Sequence, residues 1–170
     1  SRRAEIADNL PRMLEAVRQV ADPARYRVVL AAATGISDEE YARYGILLSA
    51  ASAATSDDAG KTAAAFTSSA TSSGQLPICA VRGETFALLS HARAALVTSG
   101  TATLETALFN VPQVVCYNMK GGILIRKLRP YFLKCPFISL VNLIADREVV
   151  PELIADDTRP ANLAAHFAPL

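Results

Sequence analysis

The sequence contains no tryptophan, only three cysteines and only two histidines in 170 residues. Cys79, Cys116 and Cys135 are odd in number, show no Cys-x-x-Cys spacing and stand among apolar neighbours. We therefore expect buried, inert thiols rather than a disulfide framework or metal ligands. His91 and His166 lie far apart in the chain and have no carboxylate at ligand spacing, which argues against a metal site.

A strong excess of one charge is also lacking, because the net charge at pH 7 is +1. Without such an excess, or a basic patch interleaved with aromatic residues, the sequence does not favour nucleic-acid binding. No stretch reads as a membrane-spanning helix or a signal peptide, so we expect a cytosolic domain. Hydrophobic residues make up 51% of the chain and charged residues 19%, which is typical of an α/β domain.

The length predicts one domain, 1–170, with an insertion inside it. Residues 49–74 are mostly Ala, Ser and Thr with almost no large apolar side chain, so we expect a flexible insertion there. Its "AGKT" resembles a phosphate-binding Walker motif, but that motif needs a glycine where Thr55 stands, and we reject it. The chain opens on "SRRAEI" without a methionine and closes on "HFAPL" in what reads as mid-domain, so we expect a piece of a longer protein.

Hydrophobic periodicity predicts alternating helices and strands. Residues 4–21 predict an amphipathic helix, kinked or restarted at Pro11. Strands are predicted at 26–33, 78–81, 94–98 and 113–117, and further helices at 37–45, 84–92, 102–109, about 123–134 and from about 160. Residues 139–154 read as irregular. Short apolar strands that alternate with helices indicate βαβ units and a parallel sheet covered by helices on both faces.

The stretch "LVTSGTATLETALFNVPQVVCY" (96–117) places a small, hydroxylated turn between a predicted strand and a predicted helix. Ligands of open parallel sheets bind beyond the carboxyl ends of strands, where Ser99, Gly100 and Thr101 stand. Gly100 allows a close backbone approach, and the N–H groups of a helix start favour a phosphate. Thr101 and Thr103 add hydroxyl donors. The alternative is that the turn only caps the helix.

Glu105 follows one helical turn after Thr101. The capping-box partner of Thr101 would be Leu104, so a capping box does not account for this acid. A carboxylate here can hold two vicinal hydroxyls of a ribose, although an acid near a helix start also suits the helix dipole. A nucleotide with its phosphates at the turn and its ribose at Glu105 would explain both features.

Three segments resemble one family: "SRRAEI" (1–6), "LLSHARAALVTSGTATLETALFNVPQVVCY" (88–117) and "FISLVNLIADREVVPELI" (137–154). In this order they resemble the C-terminal half of the lipid-A-disaccharide synthases, membrane-peripheral glycosyltransferases. The resemblance covers nearly the whole chain apart from the insertion. It implies the C-terminal domain of a GT-B fold, truncated at both ends, in which a Rossmann-like parallel sheet with helices on both faces holds a UDP-sugar donor.

The resemblance implies an inverting transfer from UDP-2,3-diacylglucosamine to the 6-hydroxyl of 2,3-diacylglucosamine 1-phosphate. The products would be lipid A disaccharide 1-phosphate and UDP, formed without a metal or another cofactor. The implied location is the cytoplasmic side of the inner membrane of a Gram-negative bacterium, and the implied full-length protein is a homodimer. The general base is expected in an N-terminal domain outside this sequence, so we expect no turnover from this chain alone.

The resemblance also assigns residues to the UDP-sugar site. Ser1 and Arg2 match the Ser-Arg of the family's Gly-Ser-Arg-x-x-Glu motif. Arg2 could stabilise the leaving UDP, or be a surface arginine. Asn142, Arg147 and Glu148 match an Asn-Leu-x-x-x-Arg-Glu segment at the cleft, although these three could instead tie down a loop. The implied set is Ser1, Arg2, Ser99, Gly100, Thr101, Thr103, Glu105, Asn142, Arg147 and Glu148.

Residues 121–140, "GGILIRKLRPYFLKCPFISL", mix basic and apolar side chains. They could dock on anionic lipid, because both implied substrates carry acyl chains, or they could form an ordinary helix packed on the sheet.

Two other functions stay open. One is a further GT-B enzyme such as a UDP-N-acetylglucosamine 2-epimerase, against which the segment from Asn142 to Glu148 argues. The other is a non-catalytic Rossmann-like module.

Overall fold

A computed structural model of the chain describes residues 2–48, 78–98, 100–117 and 137–170. The predicted insertion at 49–74 and the predicted helix at 123–134 lie outside these ranges. The chain divides into two compact units. The described residues of 21–85 form one unit, and those of 1–20 and 86–170 form the other.

Helices and strands alternate through the described residues, as the periodicity predicts. In chain order they are α1 (Arg2–Val20), β1 (Val28–Ala32), α2 (Asp38–Ala42), β2 (Leu47–Leu48), β3 (Ile78–Arg82), α3 (Thr85–His91), β4 (Ala95–Thr98), α4 (Thr101–Leu108), β5 (Gln113–Tyr117), α5 (Leu140–Ala145), β6 (Glu152–Ile154), a 3₁₀ turn (Ala155–Thr158) and α6 (Pro160–Phe167). Every predicted strand is present, and β5 has the predicted bounds. None of these described helices is long and apolar enough to cross a membrane.

The larger unit contains a parallel sheet in the order β4-β5-β6. Val114 and Cys116 of the central strand share one face and pack with Ala16 of α1 and Leu163 of α6. The opposite face carries Gln113, whose side chain reaches α4. Helices therefore cover both faces of this sheet, which is why four of the five residues of β5 are buried.

The smaller unit contains a second parallel sheet, in the order β1-β3-β2. Val28 pairs with Ile78 at the start of β1 and β3. The Tyr41 hydroxyl oxygen in α2 accepts a 2.9 Å hydrogen bond from the Ala33 N–H, and this ties the helix to the end of β1. Two parallel sheets with intervening helices confirm the predicted α/β class.

Two sequence-based predictions need correction. Residues 139–154 are not irregular, since they contain α5 and β6. These elements are only six and three residues long, too short for periodicity to reveal. Of the two alternatives predicted at Pro11, a kink or a restart, the restart is wrong, because the first helix runs unbroken from Arg2 to Val20. Burial of its apolar face, which includes Leu10 and Leu14, offsets the hydrogen bond that the proline removes.

Candidate functional site

The turn between β4 and α4 depends on the backbone of Gly100. Its φ of +123° and ψ of −161° belong to a region that is open essentially to glycine alone. A Cβ atom added there would meet no heavy atom within 4 Å. The backbone conformation, rather than crowding by any described residue, therefore requires the glycine.

Hydrogen bonds from Thr103 stabilise the backbone of this turn. Its side chain is fully buried, and its hydroxyl donates a 2.8 Å hydrogen bond to the carbonyl oxygen of Gly100. The Thr103 N–H donates to the same oxygen at 3.2 Å. The hydroxyl proton is thus committed to the turn, whereas Thr101, the neighbouring predicted donor, is exposed.

The two sides of α4 differ in their surroundings. Thr103 and Thr106 are buried, and the Thr106 hydroxyl donates to the carbonyl oxygen of Ala102 at 2.7 Å. Thr101 and Glu105 are four residues apart and share the other side of the helix. Glu105 is half-buried, and within the described ranges its carboxylate forms no hydrogen bond or ion pair. Among the described residues, the Glu105 carboxylate one turn into α4 thus has no partner.

Gln113 fixes α4 against the sheet and was not singled out from the sequence, where it reads as the start of a strand. The side chain is buried, and its Nε2 donates to the Thr103 carbonyl oxygen at 3.0 Å. Its Oε1 is buried without a partner among the residues that the structure describes. The Gln113 amide therefore holds the first turn of α4 against β5 through the carbonyl oxygen of Thr103.

Asn142 is fully buried in α5, and its side chain is used within the protein. Its Oδ1 accepts hydrogen bonds from the Val149 and Val150 N–H groups at 2.8 and 3.0 Å. Its Nδ2 donates to the Val150 carbonyl oxygen and to Glu152 Oε1, both at 2.8 Å. Asn142 thus ties down the loop that follows it, as the loop-holding alternative proposes.

Arg147 and Glu148 occupy that loop, and both side chains are exposed. Asp146 ends α5 with a left-handed φ of +49°, and the Arg147 N–H donates to the Asn142 carbonyl oxygen at 3.3 Å. The next residue after the pair, Val149, is held by the Asn142 side chain. One buried asparagine therefore holds the exposed Arg147–Glu148 pair from both ends.

Helices α4 and α5, of which the first follows the glycine turn and the second carries Asn142, pack against each other and form the candidate site region. The other predicted residues are less fully described. Ser1 and Ser99 lie outside the described residues, and for Arg2 the structure describes the backbone only, at the first position of α1.

The described thiols take no part in this region. Burial raises the pKa of the Cys116 thiol to about 12, and it also raises the pKa of half-buried Cys79. Both thiols therefore stay protonated near neutral pH. Cys116 is buried as expected, whereas Cys79 is only half-buried. Cys135 lies outside the described residues.

Comparison with known proteins identifies the family. Residues 58–170 match the family model described as lipid-A-disaccharide synthetase. The chain belongs to this family. The matched range contains the glycine turn, Glu105, Asn142 and the Arg147–Glu148 pair.

Individual members of the family give the same result. A lipid-A-disaccharide synthase of Acidobacterium capsulatum is 36% identical over 170 residues, which is all of this chain and 38% of that protein. A lipid-A-disaccharide synthase of Pseudomonas aeruginosa is 43% identical over 95 residues, covering 56% of this chain and 25% of its own length. One of Pseudomonas putida is 42% identical over 96 residues. The chain thus spans well under half the length of these relatives.

Proposed function

We propose that this chain is the UDP-sugar-binding part of an inverting glycosyltransferase. The proposed reaction joins UDP-2,3-diacylglucosamine to 2,3-diacylglucosamine 1-phosphate and yields lipid A disaccharide 1-phosphate and UDP. Membership of the lipid-A-disaccharide synthetase family is the observation that carries this proposal. The glycine turn and Glu105, which has no partner among the described residues, support a nucleotide as the bound group.

The donor diphosphate is proposed to lie at the Gly100 turn. There the Thr101 hydroxyl is exposed and the first N–H groups of α4 are available to an anion. Glu105, four residues further along the same side of the helix, accepts hydrogen bonds from the two ribose hydroxyls in this arrangement. Ser99, the remaining residue of the turn, is proposed to contribute its hydroxyl to the diphosphate.

Thr103 and Asn142 are proposed to act through the backbone rather than by touching the donor. The Thr103 hydroxyl is committed to Gly100, and the Asn142 amide is committed to Val149, Val150 and Glu152. The exposed side chains of Arg147 and Glu148 are then the groups of the Asn142 segment that reach the donor. Their charges suit a phosphate and a sugar hydroxyl, respectively.

The transfer itself is a displacement at the anomeric carbon of the donor sugar. The acceptor 6-hydroxyl oxygen forms the new bond to this carbon, the bond from carbon to the UDP oxygen breaks, and configuration inverts. Negative charge grows on the departing diphosphate, where the guanidinium of Arg2, next to Ser1, is proposed to stabilise it. The hydroxyl proton passes to a general base outside the residues proposed here.

The lipid character of both substrates suggests where the protein works. We propose a cytoplasmic protein that is peripheral to the inner membrane, with residues 121–140 contacting anionic lipid. Most of this segment lies outside the described residues. A homodimer of the full-length protein is part of the same proposal.

Disaccharide synthesis by the full-length protein that carries this chain tests the function. The protein is incubated with UDP-diacylglucosamine, with and without the monosaccharide acceptor, and the products are identified by mass spectrometry. Disaccharide and UDP that appear only with the acceptor support the proposal. Loss of the product on Arg2→Ala and on Glu105→Ala supports the two assigned roles.

Other outcomes separate the site from the reaction. Disaccharide that survives both substitutions contradicts the site but leaves the reaction standing. Folded protein that binds UDP without making disaccharide favours another nucleotide-sugar enzyme such as the epimerase. Folded protein that binds no UDP favours the non-catalytic module.

A further inference from the structure

The carboxylate of Glu152 connects three parts of the site region. Its Oε2 accepts a 2.8 Å hydrogen bond from the Ile138 N–H, and its Oε1 accepts from the Ser139 N–H and hydroxyl at 2.9 and 2.6 Å. Oε1 also accepts from the Asn142 Nδ2 at 2.8 Å. One side chain of β6 thus binds the start of α5 and the amide that holds the Arg147–Glu148 loop.

We infer that Glu152 is a positioning residue for donor binding, one that sets the geometry of Arg147 and Glu148 through Asn142. This inference rests on the proposed function. Glu152 lies in the segment 137–154 that resembles the family, but the resemblance assigns no role to it, and in the sequence it is one acid in a stretch that reads as irregular.

The chemistry of the carboxylate explains why an acid stands here. An ionised carboxylate only accepts hydrogen bonds, so the Asn142 group that faces it must be the NH₂. The amide is then turned with Oδ1 toward the loop, where Oδ1 accepts from the Val149 and Val150 N–H groups. Glu152 and the two N–H groups of the loop therefore favour the same orientation of the Asn142 amide. With the amide reversed, an NH₂ group would oppose two N–H donors.

The same carboxylate stabilises the helix that carries Asn142. The Ser139 side chain caps α5 by accepting from the Asn142 N–H at 3.3 Å, and Ser139 is itself held by Glu152. Asn142 is consequently fixed at both its backbone and its side chain. The exposed pair that it holds, Arg147 and Glu148, makes no ion pair within the described residues, so its geometry depends on these main-chain anchors.

A double-mutant cycle distinguishes positioning from a general contribution to stability. Glu152→Ala is made in the full-length protein and again in an Arg147→Ala/Glu148→Ala background, and donor KM, kcat and the UDP dissociation constant are measured. If Glu152 acts through the exposed pair, Glu152→Ala raises donor KM about tenfold or more in the first background, with a smaller change in kcat. In the second background it changes KM less than about twofold, because the pair is already gone.

Glu152→Gln provides a second route through the cycle if the alanine variant does not fold. It keeps the shape of the side chain and one acceptor oxygen but opposes an NH₂ group to one donor. The same non-additivity is then expected with a smaller change in KM. Glu15→Gln, a change to an exposed carboxylate on α1, is the matched control and leaves KM unchanged.

The results separate this inference from the proposed function. A similar fold change in both backgrounds overturns the inference, because Glu152 then acts independently of the pair. So does an unchanged KM with a reduced kcat and a lower melting temperature, which indicate a loss of folded protein only. In both cases wild-type protein that still makes disaccharide leaves the function standing. Wild-type protein that neither binds UDP nor makes disaccharide overturns both.

Discussion

The side-chain hydroxyl of Thr103 donates a 2.8 Å hydrogen bond to the carbonyl oxygen of Gly100, three residues earlier. This bond ties the first turn of α4 to a glycine whose φ is +123°. The two residues act as one unit: the glycine supplies a conformation that other residues avoid, and the threonine holds it there. If the turn binds a diphosphate, weakening either residue should weaken nucleotide binding.

Thr103→Val should weaken UDP binding several-fold, because valine keeps the shape of threonine but has no hydroxyl to hold the Gly100 carbonyl. The lost hydrogen bond should also reduce the free energy of unfolding by about 1 kcal/mol. Calorimetric titration with UDP and denaturant unfolding of the full-length protein measure the two effects.

Thr106→Val is the matched control for this prediction. Thr106 is also buried in α4, and its hydroxyl also donates to a backbone carbonyl, that of Ala102. Its removal should lower stability by a similar amount and leave UDP affinity unchanged, because the bond holds the Ala102 carbonyl and not the Gly100 carbonyl. Equal losses of affinity in the two variants would contradict a specific role for the Thr103–Gly100 bond.

Gly100→Ala should destabilise the protein by roughly 1–3 kcal/mol, since alanine is strained at this backbone conformation. The open space around the position means that the penalty comes from the backbone and not from a clash. The affinity of the Gly100→Ala variant for UDP should fall as well as its stability. Gly35→Ala is the control: a Cβ there also meets nothing within 4 Å, and its φ is not positive. Equal losses of melting temperature in the Gly100→Ala and Gly35→Ala variants would contradict the prediction.

The strands of the fold could be predicted because they are short apolar runs. Gln113–Tyr117 is buried between helices on both faces, so it needs apolar side chains in succession, and this pattern is visible without a structure. The glycine turn was equally visible, since small residues between such a strand and a helix mark the carboxyl end of a parallel strand.

The side of α4 that packs inward could not be predicted. Its buried positions are Thr103 and Thr106, polar residues that look like ligands until their hydroxyls are seen to donate to backbone carbonyls. Asn142 was ambiguous for the same reason, because the sequence cannot say whether an amide is satisfied internally. The role of Glu152 could not be predicted, although it lies in the segment 137–154, because its contacts with residues 138, 139 and 142 depend on the tertiary structure.

Cys116 should react with N-ethylmaleimide far more slowly than Cys79 at pH 8. Burial raises the Cys116 pKa to about 12, and the thiolate is the reactive form. Cys79 is only half-buried and its pKa is raised to a lesser degree. Peptide mass spectrometry measures the extent of labelling at each cysteine separately. In denaturant, Cys116 should become accessible and be labelled. Labelling of Cys116 at the rate of Cys79 in native protein would contradict this burial.

Burial of the Cys116 thiol also makes the stability of the protein depend on pH in the alkaline range. The Cys116 thiol ionises near its ordinary pKa of 9.0 in the unfolded state but only near 12 in the folded state. Between these values the folded state binds more protons, so its stability falls as pH rises. Below pH 9 both states are protonated and the thiol contributes no pH dependence. Wild-type protein should therefore lose stability relative to Cys116→Ala between pH 9 and 11 in urea unfolding. A constant difference across this range would contradict the predicted thiol pKa.

Glu105→Ala should remove the preference for a ribose over a sugar without vicinal hydroxyls. Wild-type protein is expected to bind UDP at least about a hundredfold more tightly than 2′,3′-dideoxy-UDP, because two hydrogen bonds to a charged carboxylate are lost and each is worth roughly 1.5–3 kcal/mol. The variant should bind both ligands with the affinity that wild-type protein shows for the dideoxy compound. Glu15→Ala, on the exposed side of α1, should keep the full preference. Since both ligands carry the same diphosphate, the comparison isolates the ribose contact from the glycine turn. If the Glu105→Ala variant still prefers UDP, the ribose hydroxyls bind elsewhere. The carboxylate would then interact favourably only with the helix dipole.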